Sequence, residues 1–469
     1  MGPQIPSSSS DYTASSARLN EDVLYHIMSF LVRPRDVLAA MQTCYALYRL
    51  GLPLLLQNVR LQTAAQYNVL EAFLEQHPLR YQSIRAVTFS FSSGFDQFAE
   101  RFVGFLRKLR QLQDLNLMWL PTTHYEGRLV NQITQQVSSM SSLRRLSILG
   151  DIPPHNVVQL FTHVQSESPL TELDIGYFYY TIQPLAFLAP LKLHLEKLTI
   201  HANPGGISFT DLEELPSAET KFPRVRSLSF DCTGSDFAKV GLLPRIFPYV
   251  RDFAIRGIHL PPDQVALTAL RSANRAQQAD LRWDTLERLE GTVRSVYAAG
   301  LTSRAKHLRL NLSSRVDVGV AECAKAVIRD AKPHSLQVDV QANSVRVLRD
   351  LPAMLEPVHE CLDRLEIGLY LDSDGVVSAA NGDITHELLS SIAKCTSLRS
   401  LHLSLLETRQ LSDKDSGFYL PQWMVDRFKL IDVDRLIRLS MECMPSLQDV
   451  RVEALDRLVA YTRASIQVR

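Results

Sequence analysis

The chain has 469 residues, 46% of them hydrophobic, and its 50 basic and 50 acidic residues give a formal net charge of zero. That length and apolar content exceed what one compact core usually holds, and the charge balance excludes any broad electrostatic pull toward nucleic acid or membrane. Six cysteines, Cys44, Cys232, Cys323, Cys361, Cys395 and Cys443, are scattered without a C-x-x-C pair, which predicts small core residues in a reducing compartment rather than a metal site.

Residues 1–17 are polar and Ser-rich, without the apolar stretch of a signal peptide, and no apolar run approaches a membrane span. A disordered tail and a cytoplasmic or nuclear location are expected. From Leu19 the spacing predicts a helix. Asn20 can cap its first turn, Glu21 and Asp22 sit where the helix dipole favours acid, and Leu24, Ile27, Met28 and Leu31 line one side. Pro34 interrupts the pattern. A second run begins near Asp36 with Val37, Leu38, Met41, Cys44 and Tyr45, and a third passes through Leu47, Tyr48, Leu52 and Leu55 to Leu56. Three short helices over residues 18–57 lie near the lower size limit of a self-sufficient domain, so part of their apolar surface needs cover from the rest of the chain or from a partner.

Leu19-Asn20-Glu21-Asp22-Val23-Leu24, Ile27, Leu31, Asp36-Val37-Leu38 and the Cys44 to Tyr48 segment together resemble an F-box of the fungal style, the adaptor-binding module of SCF-type ubiquitin ligases. Where that family usually has proline after the first leucine this chain has Asn20, and the aromatic of its third helix is Tyr48. The resemblance implies that Leu19, Val23, Leu24, Ile27, Leu31, Val37 and Leu38 form a surface for a Skp-type adaptor, and through it for a cullin. A second reading stays open: the three helices merely cap the repeats C-terminal to them.

Downstream an apolar-x-x-apolar-x-apolar pattern returns: Ile84, Val87, Phe89; Leu112, Leu115, Leu117; Leu143, Leu146, Ile148; Leu170, Leu173, Ile175; Leu195, Leu198, Ile200. It continues as Val225, Leu228, Phe230; Val250, Phe253, Ile255; Leu362, Leu365, Ile367; Leu398, Leu401, Leu403; and Leu447, Val450, Val452. The early copies recur every 25 to 31 residues, a period at which each repeat lays one short parallel strand beside the last. These units resemble irregular leucine-rich repeats. Helical spacing appears between them, as in Phe95, Phe98, Phe102 and Leu106, in Val157, Leu160, Phe161 and Val164, and from Ala321 to Ile328. The register weakens around Leu286, Leu308 and Val338, where irregular repeats are expected. The expected fold is therefore α/β: the helical module over 18–57, then over 58–469 a leucine-rich-repeat solenoid with parallel strands inside and helices outside. A doubly wound sheet would instead need strand-order reversals and a Gly-rich phosphate turn, and the sequence has neither signature.

No nucleophile elbow, phosphate loop, dinucleotide fingerprint or H-E-x-x-H zinc motif occurs. Asp372-Ser373-Asp374-Gly375 lacks the ligand series of a calcium loop and reads as a turn, and the Asn311-Leu312-Ser313 sequon has no meaning in a reducing compartment. No cofactor or metal is expected, and no catalysis. Recognition falls instead to strand side chains that alternate away from the core: Asp114 and Asn116; Arg145 and Ser147; Glu172, Asp174 and Gly176; Lys197, Thr199 and His201; Asp252 and Arg256; His307, Arg309 and Asn311. Glu172, Asp174, Lys197, His201, Arg256 and Arg309 are candidate contacts for a protein target, their mixed charge fitting a protein better than a phosphate track. Trp423, within Phe418-Tyr419-Leu420-Pro421-Gln422-Trp423-Met424 in a long gap between repeats, is a further candidate anchor, and Asn203-Pro204-Gly205-Gly206 marks a second excursion. The function expected is that of a substrate receptor in an SCF-type ligase, joining an adaptor to an unidentified protein target, with no nucleic acid or membrane partner. The alternative is a non-catalytic leucine-rich-repeat scaffold without a ubiquitin link.

Overall fold

The computed structural model describes residues 20–31, 33–91, 99–119, 127–150, 170–176, 188–201, 221–233, 236–258, 260–261, 263–312, 319–342, 346–371, 389, 392–407, 433–454 and 457–462. The chain divides into two compact units, Met1–Asn116 and Leu117–Arg469.

The first unit opens with α1 (Glu21–Ser29), α2 (Pro34–Met41) and α3 (Tyr45–Leu56). Asn20 caps α1 as expected, its side chain accepting the Asp22 N–H at 3.0 Å. Pro34 marks the break expected after α1, as the first residue of α2, where its missing N–H costs nothing. Met28, Val37 and Met41 form the buried centre of the three helices, with Leu31, Leu47, Leu52, Leu54 and Leu55 packed against it. Gly51 lets α3 come close, since a Cβ there would stand 2.3 Å from Met41 Cγ. Then come β1 (Asn58–Leu61), α4 (Ala64–Glu75), a 3-10 helix (Pro78–Ser83), β2 (Ala86–Phe91) and α5 (Ala99–Lys108). Phe102, Phe105 and Leu106 of α5 are buried, with Phe89 of β2 edge-on to Phe102 at 4.1 Å between ring centroids. β3 (Asp114–Trp119) runs across the division.

The second unit contains α6 (Gly127–Ser138), β4 (Arg145–Gly150), β5 (Glu172–Gly176), β6 (Lys197–His201), β7 (Ser227–Thr233), α7 (Leu243–Ile246), β8 (Asp252–Ile258), α8 (Gln264–Gln277), β9 (Thr285–Thr292) and α9 (Val293–Ala299). It continues with β10 (Arg304–Leu312), α10 (Val320–Ala331), β11 (Ser335–Ala342), α11 (Arg346–Leu355), β12 (Arg364–Leu371), β13 (Ser400–Glu407), α12 (Val433–Cys443), β14 (Asp449–Ala454) and β15 (Arg457–Thr462).

The strands succeed one another in chain order in an open sheet, fourteen parallel and β15 antiparallel to β14. With no reversal of strand order, the doubly wound alternative is excluded. All ten sequence triplets are buried. The pattern also runs on where it seemed to weaken, through Leu286, Leu289 and Gly291, then Ala305, Leu308 and Leu310, then Pro333, Leu336 and Val338, all of them buried. There β9, β10 and β11 pair in regular parallel register. One backbone hand-over recurs before the strands: a carbonyl accepts two consecutive N–H groups of the next repeat. Arg144 O takes those of Thr171 and Glu172 at 2.8 and 3.0 Å, Thr171 O those of Glu196 and Lys197, and Asp363 O those of Arg399 and Ser400. Buried backbone is thereby satisfied where the chain enters the sheet.

Candidate functional site

Two surfaces hold the residues that the sequence singled out. On the three helices, Met28 and Val37 are only 1% and 4% exposed, while Val23, Ile27 and Phe30 are 44%, 51% and 69% exposed. Those three recur at the i, i+4, i+7 spacing of one helix face. Leu38 on α2 is 47% exposed. The stripe expected on α1 is thus split: Met28 turns inward, Leu31 packs on the core, Leu24 is half-buried and Ile27 faces solvent. Val37 lies inside the module and offers nothing at its surface, because α2 and α3 close over it. Leu19 lies outside the described residues. The sequence reading missed Phe30, Tyr45 as a surface residue, and the Arg49 side chain of α3 that pairs with Glu21 of α1. Phe30 follows the end of α1 three residues after Ile27, so the helical spacing that places Ile27 also marks Phe30 on the same face.

On the sheet of the second unit, register turns the alternating polar positions into rows that cross the strands. Arg145, Glu172, Lys197, Ser227, Asp252, Arg288 and His307 are successive neighbours in one row. Ser147, Asp174, Thr199 and Ser229 begin the next. Charges along the rows are largely matched. Arg145 binds Glu172 at 2.7 Å, and Lys197 reaches the same carboxylate at 3.8 Å. Arg309 Nε donates to Asp339 Oδ2 at 2.8 Å and lies 3.9 Å from Glu290. Arg256 is exposed and sits opposite Asp231 in register.

His201 is held most closely. Its Nδ1 is 2.8 Å from Asp231 Oδ2, and its Nε2 is 3.0 Å from Asp174 Oδ1. Asp174 Oδ2 in turn accepts the Ser147 hydroxyl at 3.2 Å. Gly176 makes room for this imidazole, because a Cβ there would stand 2.4 Å from His201 Cβ. With a carboxylate at each nitrogen, the ring is held charged and its pKa is raised to about 9, Asp174 contributing most and Asp231 next. A further group joins β12, β13 and β14: His402 lies 3.6 Å from Glu366 and 3.8 Å from Glu453, with the Ser404 hydroxyl 3.2 Å from its Nε2. Asp231, Asp339, Glu366, His402 and Glu453 did not emerge from the sequence, since neighbours across repeats of unequal length cannot be read from spacing.

Trp423 and the whole Phe418 to Met424 segment lie outside the described residues, as do Asn203 to Gly206, Asp372 to Gly375 and the N-terminal tail. Among the described residues no group of three or more His, Cys, Asp or Glu side chains could hold a metal ion. Burial pushes the Cys395 thiol up to about 11 and raises those of Cys323 and Cys361, which keeps all three protonated at neutral pH. No described helix is long and apolar enough to cross a membrane. No protein-family model matches the chain, and no curated protein matches it.

Proposed function

We propose that the chain is the substrate-recognition subunit of an SCF-type cullin-RING ubiquitin ligase. In this reading its first three helices act as an F-box that binds a Skp-type adaptor, the adaptor joins a cullin, and the strand rows, as part of a leucine-rich-repeat solenoid, present a protein target. The chain catalyses nothing and takes no cofactor. It works in the cytoplasm or nucleus by proximity, raising the effective concentration of target lysines at the ligase. One observation carries the reading: Val23, Ile27, Phe30 and Leu38 stay exposed on a module whose own centre is already filled by Met28, Val37 and Met41. Exposed apolar side chains grouped on so small a unit fit a protein interface better than an isolated surface.

The test is co-expression with a Skp-type adaptor and capture of the complex. Ile27→Asp is the informative variant, because the side chain is half exposed and its loss leaves the three-helix core intact. Capture should fall at least about tenfold while thermal unfolding of the chain is unchanged. Wild-type chain that captures no adaptor, or Ile27→Asp that captures it equally well, refutes the proposal. A second reading has an observation in its favour. α3 packs on β1 and on the 3-10 helix, and Gln57 O accepts the Arg85 and Ala86 N–H groups, as an end cap of a scaffold would. That reading expects the adaptor to change neither solubility nor yield.

A further inference from the structure

Charge is unevenly divided along the strand rows of the second unit. On β5, β6 and β7 three carboxylates, Glu172, Asp174 and Asp231, face Lys197 and His201. On β12, β13 and β14 Glu366, Asp449 and Glu453 share the rows with Arg364, Arg451 and His402. Across β8, β9 and β10 the balance reverses, with Arg256, Arg288 and Arg309 against Asp252 and Glu290. Arg309 is already bonded to Asp339. Arg288 is different: it is exposed, and among the described residues its side chain has neither a hydrogen bond nor an ion pair, although Asp252 and His307 are its register neighbours.

We infer that the rows of β8, β9 and β10 receive a short acidic segment of a protein, with Arg288 meeting its carboxylate. This rests on the reading of the strand rows as a target surface, and not on adaptor binding. A guanidinium presents a planar fork that matches a carboxylate in two-point contact. Three strands spaced about 4.8 Å apart cover roughly 10–14 Å, the reach of three or four extended residues. Carboxylates outnumber Lys and Arg on the strand groups to either side, so a long polyanion such as a nucleic acid is repelled at both ends while an isolated acidic motif is not.

Fluorescence anisotropy on the full chain tests this. The probes are a short labelled peptide with a Glu-Asp-Glu core between Gly-Ser flanks, the same peptide with a Gln-Asn-Gln core, and a single-stranded oligothymidine. The acidic peptide should bind at least about tenfold more tightly than the neutral one. Arg288→Glu should remove that difference, and Asp252→Asn should tighten binding. Equal binding of the two peptides, an unaltered response of Arg288→Glu, or preference for the oligonucleotide overturns the inference. Adaptor capture plays no part in this readout, so a chain that fails to bind a Skp-type adaptor can still pass it.

Discussion

His201 ties three strands together through one ring, and its charge makes that tie dependent on pH. Its folded pKa of about 9 lies above the ordinary value of 6.5. The stabilisation is therefore fully present below about pH 6.5 and is lost as pH rises through about 9. A shift of that size corresponds to on the order of 3 kcal/mol. Denaturant midpoints of the wild-type chain should fall across this window, and those of His201→Gln should be lower and flatter. Identical slopes for the two chains would show that the ring is not charged in the fold. The two carboxylates define the effect, since either one alone leaves a ring nitrogen facing nothing of opposite charge.

Among the elements, the packing of α8 on α9 depends on polar side chains that share the buried face of Leu267. Asn274 is fully buried. Its Nδ2 donates to Ala298 O at 2.9 Å, and its Oδ1 accepts the Gly241 N–H at 2.8 Å. Gln278 continues the seam, donating to Asn274 O and Ala299 O, and Arg271 donates to Tyr297 O at 2.9 Å and pairs with Asp330 of α10. Asn274→Ala leaves two backbone groups buried without that amide and should cost about 2–4 kcal/mol in equilibrium unfolding; a change below about 0.5 kcal/mol would mean that water replaces the amide.

The same elements mark how far the fold was legible in the chain. Thirty apolar positions carry the strands because each is a large side chain at fixed spacing, and every one is buried. Gly291, Ala305 and Pro333 hide three further repeats, because a buried position filled by glycine, alanine or proline leaves no apolar signature. Strand alternation identified Glu172, Asp174, Lys197, His201, Arg256 and Arg309 as polar positions. It could not pair His201 with Asp231, or Arg309 with Asp339, because those partners come from neighbouring repeats. On the first helices, spacing alone could not decide which of two apolar faces turns inward. Met28 took the core and Ile27 did not.

For the whole chain, the strand order fixes how the parts depend on one another. In the sheet each strand pairs only with its predecessor and successor, so loss of one local contact weakens a neighbourhood before it weakens the rest. Parallel pairing could in principle be extended one strand at a time. At β14 it is not: β15 turns back and pairs Val450 with Tyr461 and Val452 with Val459. This reversal stops parallel growth in the polymer sense: β15 occupies the β14 backbone groups onto which a further parallel strand would add and offers an edge of the opposite direction in their place. A version ending at Ala454 should therefore self-associate with rising concentration in sedimentation velocity, while the full chain sediments as a single species. If the shortened form stays equally monodisperse, polymerisation is being held back at some other place.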